Sequence, residues 1–162
     1  MSPTERRISE LVHLLQMKSH PEGGFYAETY RSDSELDTKN GKRNLITSIF
    51  FLLRSEDVSH FHRIKSDELW FWHEGSSLSI HLLGENGHEI LKLGPVDENG
   101  TLPQHLVKAE TIFGSTITES ESYALVSCVV APGFDFRDFE LFQAEDLLPR
   151  YPIAAAIIQK LT

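Results

Sequence analysis

The sequence has a single cysteine, Cys128, so it carries no intramolecular disulfide framework and no four-cysteine zinc site. Basic residues are also sparse: 15 Lys and Arg against 24 Asp and Glu leave a formal net charge of -9. That balance argues against a broad nucleic-acid surface, which needs clustered Lys and Arg, but not against one local basic contact to a nucleotide or sugar phosphate. No apolar run of about 18 residues occurs, so no membrane-spanning helix is expected. The segment RISELVHLLQM near the start has the wrong polarity for a signal peptide, and a cytoplasmic location is the default expectation.

What is present fits one globular domain over residues 1–162, with 40% hydrophobic and 24% charged residues. The most informative stretch is VSHFHRIKSDELWFWHEG, Val58 to Gly75. Side chains two apart on a strand share a face, which puts His60 and His62 together with Phe61 opposite. Glu68, Trp70 and Trp72 share a face in the same way if a strand starts near Asp67. The polar residues from Ile64 to Asp67 read as a turn, making the two runs adjacent antiparallel strands. Two imidazoles and a carboxylate then converge on one apolar cavity, a pattern suited to a metal site or to acid–base chemistry.

Along the rest of the chain, residues of about 4–17 predict a packing helix whose face is Ile8, Leu11, Val12 and Leu15, widened by Leu14. HPEGGFYAETYRSD follows, with Pro21, Gly23 and Gly24 as a sharp turn and a strand from Phe25. Glu28 and Arg31 on that strand are candidate ligand-binding groups, equally readable as a surface pair. Ser34 to Asn44 reads as an exposed connection turning at Asn40-Gly41. LITSIFFLL, Leu45 to Leu53, lacks alternation and predicts a strand buried on both sides, against a second sheet or a partner chain. His81 and His88 read as partly exposed strand and loop residues. Cys128, inside the long buried strand YALVSCVVA, reads as a small hydrophobe. Phe134, Phe136, Phe139 and Phe142 read as core closure, and Pro152 opens a short helix through Leu161. Eight or more short strands between Gly, Pro and acidic turns predict a mainly β, antiparallel sandwich or barrel.

HPEGGFYAETYRS, ITSIFFLL, FHRIKSDELWFWHEG and ALVSCVVAPGFDFRDFEL, in this order, resemble the landmarks of a largely uncharacterised family within the cupin superfamily. The resemblance implies an RmlC-like double-stranded β-helix, the cupin jelly-roll barrel, with an N-terminal helix and a short C-terminal helical segment. It also implies a homodimer, with residues 45–53 and the N-terminal strand as candidate contact surface. His60, His62, Glu68 and Gly75 look like the first general cupin motif, although the spacing from His62 to Glu68 is longer than usual. The second motif departs further. Lys108 stands where a proline is expected, Glu110 near the glycine and Phe113 near the metal-binding histidine.

Several readings follow. The chain binds a small polar metabolite in the barrel, with Trp70 and Trp72 as apolar contacts and His60, His62, Glu68, Glu28 or Arg31 as polar ones. Alternatively it is a metal-independent sugar or nucleotide-sugar epimerase or isomerase, with His62 as base and Glu68, Glu28 or Asp67 as acid. A metal-dependent enzyme would use His60, His62 and Glu68 as ligands to a divalent ion. A non-catalytic structural or interaction domain would keep the barrel and lose the site.

Overall fold

A computed structural model describes residues 1–162. Helix α1 spans Pro3–Leu14. Ser2 caps it reciprocally with Glu5, and Pro3 occupies the first turn, where a missing N–H costs nothing. The helix stops three residues short of the expected end because Gln16 turns the chain at φ 53°. Ile8, Leu11, Val12 and Leu15 pack on Met17, Leu52 and Leu125 as the periodicity predicts, whereas Leu14 is 65% exposed and adds nothing to that face.

Thirteen strands follow. They are β1 (Lys18–Ser19), β2 (Phe25–Arg31), β3 (Glu35–Thr38), β4 (Gly41–Asn44), β5 (Thr47–Arg54), β6 (Ser59–Arg63) and β7 (Asp67–Gly75). Then come β8 (Leu78–Gly84), β9 (Gly87–Leu93), β10 (Gln104–Val107), β11 (Ile112–Ile117), β12 (Tyr123–Ala131) and β13 (Glu140–Leu141). Six form one sheet in the order β1-β2-β5-β12-β7-β10, and five form a second in the order β13-β6-β11-β8-β9. Pairing within these sheets is antiparallel throughout. The fold is the mainly β jelly roll expected, closed at the end of the chain by short helices α2 (Ala144–Leu147) and α3 (Ala155–Lys160).

The two sheets enclose a core that includes Phe51, Leu53, Trp70, Ile80, Phe113 and Val126. Two smaller clusters cover the outer faces. Leu52 and Leu125 meet α1 outside the larger sheet, while Phe61, Leu83 and Ile112 meet Phe142, Leu147, Ile158 and Leu161 outside the smaller one. This explains why LITSIFFLL does not alternate: Phe51 and Leu53 face the second sheet and Leu52 faces α1. Both sides of β5 are thus covered within the chain.

Ser34 to Asn44 is more ordered than an exposed connection. It forms the β3–β4 hairpin, and its Arg43 is buried in a bidentate pair with Asp138, Nε to Oδ2 and Nη2 to Oδ1 both at 2.8 Å. His81 is also more buried than expected, at 6% exposure. Its Nε2 pairs with Thr116 Oγ1 at 2.8 Å and its Nδ1 with His88 Nε2 at 3.0 Å.

Candidate functional site

A cavity of about 430 Å³ opens at one end of the barrel, lined from β2, β5, β6, β7 and β12, by the turn before β2 and by the segment after β12. The volume lies toward the small end of the roughly 300–1,000 Å³ of ligand sites. His20, Glu22, His62, Glu68 and Cys128 supply its polar and sulfur-bearing groups away from the rim; Glu28, Arg31 and Lys18 stand nearer the surface.

Backbone geometry places Glu22. Gly23 and Gly24 have φ of 113° and 76°, values that disfavour L side chains. A Cβ on Gly23 would collide with Val58 O, so the turn lies against the start of β6. Glu22 O there accepts from His60 N at 2.8 Å and pairs with His60 Nδ1 at 2.7 Å. His60 thus fastens the turn and does not line the cavity. The register between β6 and β11 shifts between Phe113 and Ser115, which breaks the strict alternation expected of His60 and His62.

His62 is 3% exposed. Its Nδ1 donates to His60 O at 2.8 Å, and its Nε2 lies 2.8 Å from Glu22 Oε2. Burial alone would lower the His62 pKa, but the Glu22 carboxylate, by charge and hydrogen bond, raises it above the ordinary value. Burial likewise opposes ionisation of Glu22, and His62, by charge and hydrogen bond, overcomes it, leaving the Glu22 carboxyl below its usual range. With both His62 nitrogens facing oxygen acceptors and the two shifts running in opposite senses, the pair favours carboxylate and imidazolium. His20 differs: burial lowers its pKa, and its Nδ1 accepts the Glu22 N–H at 3.1 Å, which puts the proton of the neutral ring on Nε2.

Glu68, 8% exposed, has its pKa pushed up to about 7 by burial, with the Glu22 charge adding and His62 opposing. Two carboxyl groups in one cavity thus favour different protonation states at neutral pH. Burial, with the neighbouring carboxylates, pushes the Cys128 thiol well up, so it stays protonated.

The mouth is aromatic. Phe134, Phe136 and Phe139 pack edge to face, with centroids 4.8 to 6.3 Å apart, and Phe139 lies over the His62 ring at 5.4 Å and 30°. Three of the four phenylalanines read as core closure therefore border the cavity; only Phe142 joins the outer cluster. Arg31 holds this segment by donating to Phe134 O at 3.0 Å while pairing with Glu28 at 2.6 Å and Asn44 Oδ1 at 2.7 Å. Glu28 and Arg31 are thus both an ion pair and part of the cavity rim.

Of the residues singled out from sequence, His62, Glu68, Glu28 and Arg31 come together around the cavity. Trp70 and Trp72 instead belong to the core between the sheets. Asp67 is exposed and accepts from Ala109 N at 2.9 Å, away from the cavity. The residues missed were His20, Glu22, Tyr26 and the three phenylalanines. The double glycine carried the available signal, since a turn needing two positive φ values implies a fixed neighbour.

The donor set does not fit a metal. His60 is spent on the turn, both His62 nitrogens are engaged, and Phe113 occupies the cross-strand position opposite His62, with ring centroids 4.2 Å apart. No three His, Cys, Asp or Glu side chains are grouped to hold an ion. Glu110, standing near the expected second-motif glycine, adopts φ 67°, so that backbone shape is kept without the histidine.

The family model described as Cupin superfamily (DUF985) matches residues 9–142. Protein SO0799 from Shewanella oneidensis is similar at 43% identity and TM-score 0.88, covering 95% of this chain and 96% of that one. A hypothetical protein from Leishmania major is 36% identical with TM-score 0.89, over 95% and 97% of the two chains. The uncharacterized protein YML079W of Saccharomyces cerevisiae is 27% identical over 156 residues, 87% of this chain and 78% of that protein. A mutant of Bacillus subtilis oxalate decarboxylase, 14% identical with TM-score 0.57 over 90% of this chain and 37% of that one, shares the fold.

Proposed function

The chain belongs to the DUF985 family of the cupin superfamily, and from that premise we propose that its barrel binds a small polar metabolite. The observation carrying this reading is the convergence of His62, Glu22 and Glu68 beneath the Phe134, Phe136 and Phe139 rings in one cavity of about 430 Å³. Polar groups at the floor orient a ligand, and the aromatic mouth covers its apolar face. NMR of the full chain against a panel of sugars, nucleosides and hydroxy acids tests this. A ligand should shift resonances around His62 and Phe139 together, and Phe139→Ala should weaken it. If no member of the panel moves a cavity resonance, the reading fails.

A second reading is metal-independent epimerase or isomerase chemistry, like that of RmlC-like sugar-epimerase cupins. It is favoured by two carboxyl groups of opposed protonation preference flanking His62. Such an enzyme exchanges a carbon-bound substrate proton with solvent deuterium, and Glu68→Gln should slow that exchange. Binding without exchange favours the first reading. For assembly, the reading includes a homodimer. The β2 edge beyond Tyr26 pairs with no strand, and Tyr30, Leu36 and Leu45 are exposed apolar residues. Residues 51–53, by contrast, are buried within the chain itself.

A further inference from the structure

We propose that Glu22 determines ligand specificity at the cavity floor: it selects a neutral ligand that donates a hydroxyl or amide hydrogen, and it turns carboxylates and other anions away. The inference rests on the ligand-binding reading above and names the chemical class that the site takes.

Glu22 keeps unused hydrogen-bonding capacity. A carboxylate has about four acceptor sites. Glu22 Oε2 takes the His62 Nε2–H at 2.8 Å, and the Ser59 hydroxyl, which otherwise has no partner, lies beside the same carboxylate. Oε1 is 3.9 Å from His20 Nδ1, too far for a hydrogen bond, and that nitrogen already accepts the Glu22 N–H. The carboxylate therefore retains lone pairs while lining the cavity. A ligand hydroxyl can fill one of them and can also accept a hydrogen bond from neutral His20 Nε2–H or from protonated Glu68.

An anion finds no such match. The imidazolium beside Glu22 has both N–H groups committed, to His60 O at 2.8 Å and to Glu22, so it offers an entering anion no donor. Its charge is balanced by Glu22, and Glu68 adds negative charge whenever it ionises. The cations stand at the rim: Lys18 lies over the Tyr26 ring at 5.3 Å, and Arg31 is held by Glu28, Asn44 and Phe134 O. An anion can be met there but gains no uncommitted cation deeper in, only the neutral His20 and Glu68 donors, and leaving a buried charge without an opposite charge is costly. The floor thus discriminates partly by repulsion, the usual complement to attractive contacts in a selective site.

The test uses the full chain, with His-ring and backbone NMR titrated by D-ribose and glycerol as neutral hydroxylated probes and by oxalate and formate as anions. In the wild type the neutral probes should shift His62 and Glu68 signals, while the anions move signals only near Lys18. Glu22→Gln should weaken the neutral probes by about tenfold or more and admit oxalate to the floor. Glu22→Asp keeps the charge at shorter reach, so it should weaken the neutral probes yet still exclude both anions; it serves if the Gln variant does not fold. Saturable binding of an anion at the wild-type floor overturns the inference while leaving ligand binding intact. So does a Glu22→Gln chain in which neutral affinity and anion exclusion are both unchanged. If neither class of probe shifts any cavity signal, the ligand-binding reading itself fails and takes this inference with it.

Discussion

Glu22 Oε2 and His62 Nε2 stand 2.8 Å apart, although the residues are 40 positions apart in the chain and neither exceeds 6% exposure. The contact joins a glycine-rich turn to β6. It converts the histidine of a cupin-like motif from a free nitrogen donor into one half of a buried ion pair. The chemistry of the cavity follows from that pairing, because with Nδ1 already bonded to His60 O it leaves neither His62 nitrogen free.

The turn that delivers Glu22 is the first place to test. Gly23→Ala puts a methyl group into Val58 O at a φ of 113°, so the backbone must shift. A loss of roughly 1–3 kcal/mol is expected from the strain. Denaturant unfolding should show it, and the His62 titration should move toward lower pH as Glu22 withdraws. An Ala variant with unchanged stability and unchanged His62 titration contradicts this placement of the turn.

Glu68 sets a pH dependence with a definite sign. Its folded pKa of about 7 lies above the ordinary 4.5, so between these values the folded chain holds more protons than the unfolded one. The associated stability is complete below about pH 4.5 and is lost as pH rises through about 7, to a total of about 3 kcal/mol. Glu68→Gln removes this term. Unfolding free energies of the variant and the wild type should diverge in the variant's favour between pH 5 and 8, and parallel curves would refute the assignment.

Phe139 carries the aromatic side of the site. Phe139→Ala removes the ring lying over His62 and leaves the outer cluster around Phe142 untouched. A ligand that binds the wild type should lose about tenfold or more in affinity, in line with about 1–3 kcal/mol for a stacked ring. Equal affinity, read by calorimetry, would remove the mouth from the binding account.

How much of the fold and the site is legible in the sequence depends on which interactions are local. The strand pattern, α1 and the order of turns follow from periodicity and from Gly and Pro positions, and the fold agrees with them. His62 and Glu68 were legible because both lie on strands and face inward. Glu22 was not, because its partner is distant in sequence and a lone acid in a turn carries no period. Trp70 and Trp72 show the opposite failure. Large inward-facing rings on a central strand are taken up by the space between the sheets before they reach the cavity. The three phenylalanines at the mouth looked like core for the same reason, since spacing does not distinguish a ring packed beneath a segment from one packed over an opening.

A separate acid-sensitive point lies outside the cavity. Burial, with His88 and Lys160 adding, lowers the His81 pKa to about 4, so the unfolded chain binds more protons there below about pH 6.5. Stability from this site is present above that pH and is lost as pH falls toward 4. His81→Gln should blunt the acid-side decline in melting temperature between pH 6.5 and 4.5; an unchanged decline would show that the pair does not contribute.

The most direct measurement is the ¹⁵N chemical shift of both His62 ring nitrogens at neutral pH, before and after adding Zn²⁺, in wild type and in Glu22→Gln. Two protonated nitrogens are expected in the wild type, unchanged by zinc, and in the variant a neutral ring whose pKa has dropped below the ordinary value. A wild-type His62 with one bare nitrogen that shifts on zinc addition would contradict it, because the residue would then be free to act as the metal ligand that the Glu22 pairing is said to preclude.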